Sequence, residues 1–202
     1  MSYYRRKKPL FYSPNKTIPD YAQIGSLNRV KELIRAKADL DARGNDNSTG
    51  LFWACYNEFY EIAYLLIDAG ANPNIPGFEG DTPLHTACDY ENLELVKKLL
   101  LAGADPNAAN NNGDTPLHVA CVRGDLSVVK ELLKAGSDPY IVGFRNRTPL
   151  QIILRSSANA SNHQIHKLLK GHISSLRVIS IRTIKNHKIS RVPLELLSMS
   201  HI

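Results

Sequence analysis

Cys55, Cys88 and Cys121 follow one another at intervals of 33 residues, and His85 and His118 are separated by the same interval. Thiols and imidazoles are the groups from which zinc sites, activated nucleophiles and general bases are built. A structural zinc site draws its ligands in close pairs, about two to four residues apart, and no such pairs occur here. Nucleophilic catalysis needs a hydroxyl or thiol, a base beside it and an acid that orients the base, and no such set is apparent. Equal intervals place the three thiols at equivalent positions of successive structural units. Packed helices lie about 8–10 Å apart, beyond the roughly 7 Å that a disulfide spans between Cα atoms. The cysteines are therefore expected to be unbridged, small core residues in a reducing compartment. No catalytic residue, metal or cofactor is expected.

The interval extends to whole segments. Thr82-Pro83-Leu84-His85 returns as Thr115-Pro116-Leu117-His118 and as Thr148-Pro149-Leu150-Gln151, with a worn copy at Thr49-Gly50-Leu51-Phe52. A further step back reaches Lys16-Thr17-Ile18, where the signature is gone. Ala36, Ala69, Ala102 and Ala135 nevertheless share a column, Lys37, Gly70, Gly103 and Gly136 the next, and Leu33, Leu66, Leu99 and Leu132 a third.

Within a unit the residue types dictate local structure. Thr82 is placed to cap a helix whose first turn accepts Pro83, because that N–H would be unpaired anyway. A short helix follows through Ala87 and Cys88. A second, from about Leu93 to Ala102, sets Leu95, Val96, Leu99 and Leu100 on one face, and Gly103 supplies the left-handed residue that ends it. Asn112-Gly113-Asp114 reads as a tight turn between extended arms, so the unit is helix, turn, helix, projecting hairpin. Burying about six aliphatic side chains gains on the order of 10–18 kcal/mol, whereas ordering the backbone of one unit costs on the order of 30–60 kcal/mol. Only stacking narrows that gap, and function belongs to the array.

Composition narrows the remaining classes. The chain has 202 residues, 43% hydrophobic and 22% charged, as in a soluble globular protein. No apolar run approaches the roughly eighteen residues of a membrane span, and the basic N-terminus is followed by Pro-Leu-Phe-Tyr-Ser-Pro, not a signal-peptide core. A cytoplasmic or nuclear protein is expected. Residues 1–15 carry four Lys/Arg and no acid, residues 16–143 eleven basic and eighteen acidic residues, and residues 144–202 ten basic residues and one acid, Glu195. An acidic body thus has basic ends. Seven basic residues lie between Lys167 and Arg191, but they are interleaved with many Ile, Leu and Val, unlike a nucleic-acid-binding arm. The arm at Arg5 to Lys8 fits a nuclear signal or a solubilising end equally.

The 33-residue period with its Thr-Pro-Leu-His signature resembles the ankyrin repeats over residues 16–171. The resemblance implies an all-α solenoid of about five helix–turn–helix units with β-hairpin loops, preceded by a basic arm at 1–15. It implies that His85 and His118 tie neighbouring repeats by hydrogen bonds. It also implies a concave protein-binding face, lined by hairpin tips and the exposed ends of first helices. The residues so placed are Asp46, Ser48 and Tyr56 in unit two; Phe78, Glu79, Asp81, Asp89 and Tyr90 in unit three; Asn111, Asn112, Asp114 and Arg123 in unit four; and Phe144, Arg145 and Arg147 in unit five. Solvent-facing aromatics such as Phe78, Tyr90 and Phe144 suit an interface core. No small-molecule or membrane partner is implied.

The end units should be atypical. Unit one has Lys37 in place of Gly and Asp41 in place of Asn. Unit five keeps Leu150, Ile153 and Leu154, and its second helix is expected at Gln164 to Lys170, with Leu168-Leu169 matching Leu132-Leu133 after a three-residue insertion. Residues 172–202 leave the pattern. Their β-branched content leaves helix and strand open on periodicity alone. An ankyrin array with a tail of this pattern resembles the ankyrin-repeat and SOCS-box proteins, which implies a short helical tail whose first helix binds Elongin B and C and whose proline-containing segment selects a cullin. Leu176, Ile181 and Arg182 align with that family's L-C-R-x-x-I-R stretch, and Val192-Pro193-Leu194 with its L-P-L-P segment. The implied Elongin-binding residues are Leu176, Ser180, Ile181 and Ile184, and the cullin-selecting residues Val192, Pro193 and Leu194. The family's cysteine position holds Arg177, or Ser180 if the helix is anchored on Ser175-Leu176, and its second proline is Glu195. Val192 to Leu197 also resembles the start of an F-box. In the remaining alternative the tail only caps the last repeat of a scaffold, with Ile181 and Ile184 buried against residues 164–170.

Overall fold

The computed structural model describes residues 16–155 and 161–172. Helices come in pairs: α1 (Ile18–Gln23) with α2 (Leu27–Arg35), α3 (Gly50–Tyr56) with α4 (Tyr60–Asp68), α5 (Pro83–Asp89) with α6 (Leu93–Leu101), and α7 (Pro116–Arg123) with α8 (Leu126–Lys134). The fifth pair is α9 (Pro149–Arg155) and α10, residues 161–172. First helices stack in chain order from α1 to α9, and second helices from α2 to α8. α10 lies beside α8, with which it lines a shallow groove, and Ser161 Oγ donates to the Gly124 carbonyl at 2.6 Å. Unit five therefore has its second helix, which includes the expected Gln164 to Lys170.

Threonine sets each first helix. Thr82 and Thr115 cap α5 and α7 in capping boxes closed by His85 and His118, each with proline in the first turn, while Thr49 Oγ1 accepts from the Phe52 N–H at 3.2 Å. Unit one obeys the same logic one residue out of step. Thr17 caps α1, and Asp20 takes the histidine's place, accepting from the Thr17 N–H at 2.7 Å. α1 has lost one residue, so a fixed step of 33 lands on Lys16 and misses the cap. Ser26, Phe59, Asn92 and Asp125, which precede the second helices, keep the period.

The turn after each second helix is left-handed at Lys37 (φ 57°), Gly70 (94°), Gly103 (87°) and Gly136 (91°), as Gly103 predicted. The hairpins are vestigial: beyond the turn bond back to the carbonyl of Gly44, Gly77, Asn110 or Gly143, each loop closes by one bond at 2.9 Å, from the N–H of that same residue to the carbonyl four residues on. Isolated bridges join only Arg43 to Thr49 and Gly143 to Arg147 among the described residues. Arms this short cannot sustain a ladder.

The core runs the length of the array. Leu51, Leu84 and Leu117 from the first helices, and Leu66, Leu99 and Leu132 from the second, are all fully buried. A second seam joins the turns: Asp41, Asn74 and Asn107 accept from the N–H of Asn72, Asp105 and Asp138 at 2.7–2.8 Å. The amides of Asn74 and Asn107 also donate to the Gly103 and Gly136 carbonyls, at 2.8 and 3.1 Å. A carboxylate cannot donate, so Asp41 makes only half of this connection.

Candidate partner-binding face

The cysteines and histidines are structural. Cys55, Cys88 and Cys121 are free and fully buried, and burial pushes the Cys55 and Cys121 thiols up to about 12 and that of Cys88 higher still. Buried this deeply, each thiol stays protonated and packs as a small core residue. His85 Nδ1 accepts from the Thr82 N–H at 3.1 Å, which leaves Nε2 to carry the proton and donate to the Asp114 carbonyl of the next unit at 2.9 Å. His118 repeats this with the Thr115 N–H at 3.1 Å and the Arg147 carbonyl at 3.1 Å. Burial holds both imidazoles below their usual pKa, and the neutral ring is the form that fits. Both ring nitrogens are occupied. Among the described residues no group of three His, Cys, Asp or Glu could hold a metal ion.

At the ends of the first helices, three residues in one column reach back to the preceding unit. Asn57 Nδ2 donates to the Gln23 carbonyl at 3.0 Å, Tyr90 Oη to the Tyr56 carbonyl at 2.9 Å, and Arg123 Nε and Nη2 to Asp89 Oδ1 at 2.8 and 2.5 Å. Tyr90, Asp89 and Arg123 thus fasten units together as well as facing outward. The loops do the same: Asp81 Oδ1 accepts from Asn110 Nδ2 at 2.8 Å, and Asp114 Oδ1 from the Phe144 N–H at 2.9 Å. Asp81 is half-buried, and desolvation raises its carboxyl, reinforced by the nearby Asp89 and Asp114 against the hydrogen bond from Asn110. Burial likewise raises the Tyr90 phenol, together with Tyr56, Glu58 and Asp89 around it.

Ser48 does not line the face. It is fully buried beneath its loop, and its Oγ has no hydrogen-bond partner; Gly44 takes only its carbonyl. The loop buries it because the adjacent Thr49 must reach the N-cap position. Asp46 is exposed, with Oδ1 accepting from the Ser48 N–H at 3.2 Å and Trp53 Nε1 at 3.4 Å. Tyr56 is half-buried, in ring contact with Phe52 and Trp53.

Phe78 and Phe144 stand out from the loops, 49% and 53% exposed. Each opens a 3-10 turn, Phe78–Gly80 and Phe144–Asn146, whose next residue is left-handed: Glu79 at φ 59° and Arg145 at φ 60°, with Asn146 at φ 56°. Such a backbone costs a non-glycine residue on the order of 1–2 kcal/mol. Arg145 lies 5.0 Å over the Phe144 ring. Asn111 and Asn112 are exposed at the unit-four tip, where the Asn111 N–H donates to the Glu79 carbonyl, and half-buried Arg147 serves His118 through its carbonyl.

Units two to four therefore present carboxylates (Asp46, Glu79, Asp81, Asp89, Asp114) around aromatic side chains, and unit five presents Arg145 beside Phe144. Two members escaped the sequence reading. Val122, in the Tyr56–Asp89 column, is largely exposed, and stepping 33 from Asp89 would have found it. Trp53 joins the face through Asp46; its column continues as buried Thr86, which gave no surface signal. Leu176, Ser180, Ile181, Ile184, Val192, Pro193 and Leu194 lie outside the described residues, as does the basic arm.

The comparisons agree with this architecture. No curated protein matches the chain at a significant level. Among the described residues no helix is long and apolar enough to cross a membrane. The family model of ankyrin repeats, in three copies, matches residues 20–110 and 90–175. Such arrays are protein–protein interaction modules and in general not enzymes. With paired helices, threonine caps and histidine ties recurring every 33 residues, and with most of its length matched, the chain belongs to the ankyrin-repeat family.

Proposed function

We propose that the face formed by the loop tips and first-helix ends holds a protein partner, and that residues 172–202 deliver that partner to a ubiquitin ligase built on Elongin B/C and a cullin, in the cytoplasm or nucleus. The observation that carries the first half is the pair of outward phenylalanines, Phe78 and Phe144, each supported by a left-handed, strained loop residue. Large exposed aromatics are what interface cores use, and a soluble chain gains nothing by straining its backbone to display them. The charge pattern describes the partner: basic side chains opposite units two to four and an acidic one opposite Arg145. The second half is supported by the spacing of Leu176, Ile181 and Arg182 and of Val192-Pro193-Leu194.

The test is affinity purification of the tagged full chain from cells in three forms: wild type, Leu176→Asp, and Phe78→Ser with Phe144→Ser. The reading expects Elongin B and C to be lost from Leu176→Asp alone. It expects one set of other proteins, ubiquitinated in the presence of wild type, to be lost from the double phenylalanine variant alone. Elongin recovered equally with all three, or with none, refutes the adaptor reading; partners indifferent to both phenylalanines refute the face.

A further inference from the structure

Charge is matched between successive second helices until the last boundary. Lys31 of α2 pairs with Glu61 of α4 at 3.6 Å, and Lys98 of α6 pairs with Asp68 of α4 at 2.6 Å while lying 5.5 Å over the Tyr64 ring. Between α6 and α8 the corresponding positions are Lys97 and Glu131. The bond to Glu94 first, and then the charges of Glu94 and Glu131, hold the Lys97 ammonium above its usual pKa. One unit on, allowing for the three-residue insertion before α10, the same two positions are Lys130 and Lys167. Both are exposed, and among the described residues neither makes an ion pair or a hydrogen bond. Residues 161–172 contain no Asp or Glu, so α10 has no acid to offer Lys130.

Lys130 and Lys167 border the groove between α8 and α10, a hollow of about 560 Å³ lined also by Leu126, Leu168, Gln164 and His172. Leu126 and Leu168, both partly buried, supply its apolar surface. Two like charges beside one groove disfavour each other, and a carboxylate bound between them relieves this. A bare anion or a nucleic-acid backbone would satisfy the lysines but gain nothing from the leucines. A helix with apolar side chains along one face and carboxylates flanking them satisfies both. We infer that this groove holds an acidic amphipathic helix of a partner protein, with its carboxylates on Lys130 and Lys167 and its apolar side chains on Leu126 and Leu168. The site belongs to the layer of second helices, apart from the loop tips and first-helix ends. It goes beyond the function proposed above and uses none of the residues assigned there.

Fluorescence anisotropy of the full chain with a labelled synthetic peptide of about 16 residues, long enough to form a helix on contact, tests the inference. The peptide carries leucine along one helical face and glutamate beside it. One companion peptide replaces every Glu by Gln, and a second every Leu by Ser. Saturable binding of the acidic peptide is expected, weakened on the order of tenfold by Lys130→Glu with Lys167→Glu, and on the order of tenfold in either companion peptide. Both lysines are exposed, so their reversal leaves the core untouched. Arg35→Glu with Lys37→Glu makes the same change of charge at exposed positions in unit one and leaves the affinity unchanged. Absence of saturation by about 1 mM peptide overturns the inference, as does an affinity indifferent to Lys130 and Lys167. Equal losses in the two charge-reversed pairs would assign the attraction to net charge and overturn it too. Equally tight binding of the Ser companion, or of a single-stranded oligonucleotide that competes for the same lysines, would give the groove to an anion or to nucleic acid and overturn it as well. Phe78→Ser with Phe144→Ser leaves the peptide affinity unchanged, so this site and the partner-binding face fail separately.

Discussion

The histidine ties make a quantitative prediction about how the array comes apart. His118 does two jobs with two nitrogens: Nδ1 caps α7 through the Thr115 N–H, and Nε2 binds unit four to unit five through the Arg147 carbonyl. Unit one shows how to separate them. Asp20, a shorter side chain at the same position of its helix, caps Thr17 but has no second arm. His118→Asn should therefore keep the cap, with Oδ1 in place of Nδ1, and lose the tie. The Arg147 carbonyl keeps its bond from the Gly143 N–H, so losing the histidine's bond costs about 0.5–1.5 kcal/mol, and the lost ring volume about 1 kcal/mol more. His118→Ala loses the cap as well, a further cost of about 1–2 kcal/mol.

The expected totals are thus about 1.5–2.5 kcal/mol for Asn and about 2.5–4.5 kcal/mol for Ala, by urea denaturation followed by far-UV circular dichroism. The location of the loss is more telling. Neighbouring units couple pairwise, so weakening one interface by about 2 kcal/mol raises opening of the end unit on the order of thirtyfold. Native-state hydrogen exchange should show α9 and α10 losing protection first in His118→Asn, with α3 to α6 nearly unchanged. His85→Asn should loosen the array from unit four onward instead. Equal destabilisation by Asn and Ala, or uniform loss of protection along the chain, would refute the division of labour between the two nitrogens.

The same imidazoles make stability fall in mild acid. Both are held below the ordinary value of 6.5, so protonation favours the unfolded chain: stability is full above about pH 6.5 and declines below it. Urea midpoints measured between about pH 7.5 and 5.5 should fall toward the acid side, less steeply in His118→Asn. Asp81, whose carboxyl is raised, contributes with the opposite sign. Lys37→Gly should stabilise the fold by about 0.5–1 kcal/mol, since Lys37 holds a left-handed turn that glycine occupies in three other units; a lower thermal midpoint would refute this. Ser48→Ala should be neutral or stabilising by about 1 kcal/mol, because it removes a buried hydroxyl that has no partner. Gly143→Ala should weaken unit five, because a Cβ there would meet the Asp114 carboxylate and the His118 ring; hydrogen exchange in α9 would register it.

The repeat architecture was legible because each unit needs the same few residues: a threonine to cap, a leucine to stack, and a small or left-handed residue to end the second helix. Two features were not. The deletion in α1 hid Thr17 from a fixed step of 33, although Thr17-Ile18-Pro19-Asp20 carries a complete cap. The extended arms expected around Asn112-Gly113 shrank to single bonds, because a turn motif specifies a reversal and not the length of the strands beside it.

The face was harder to read than the fold for a physical reason. In a solenoid the residues at unit ends are neighbours of the next unit before they can be neighbours of a partner. Tyr90, Asp89 and Arg123 read in the sequence as outward-facing polar or aromatic residues, and each is bonded across a unit boundary. Asp89 and Arg123 are still a little under half exposed in their pair, and an exposed ion pair is worth about 0–1 kcal/mol. A partner that offers a better-desolvated carboxylate to Arg123, or a cation to Asp89, can therefore break it at little cost. Replacing Asp89 with Asn separates the uses. If the pair is only a fastener, stability falls by less than about 1 kcal/mol and partner recovery is unchanged. If Asp89 meets a basic side chain, recovery falls more steeply at low than at high ionic strength, because the removed interaction is the one that salt already screens. Recovery that stays unchanged at every ionic strength would assign Asp89 to the array alone and leave recognition to Phe78 and Phe144.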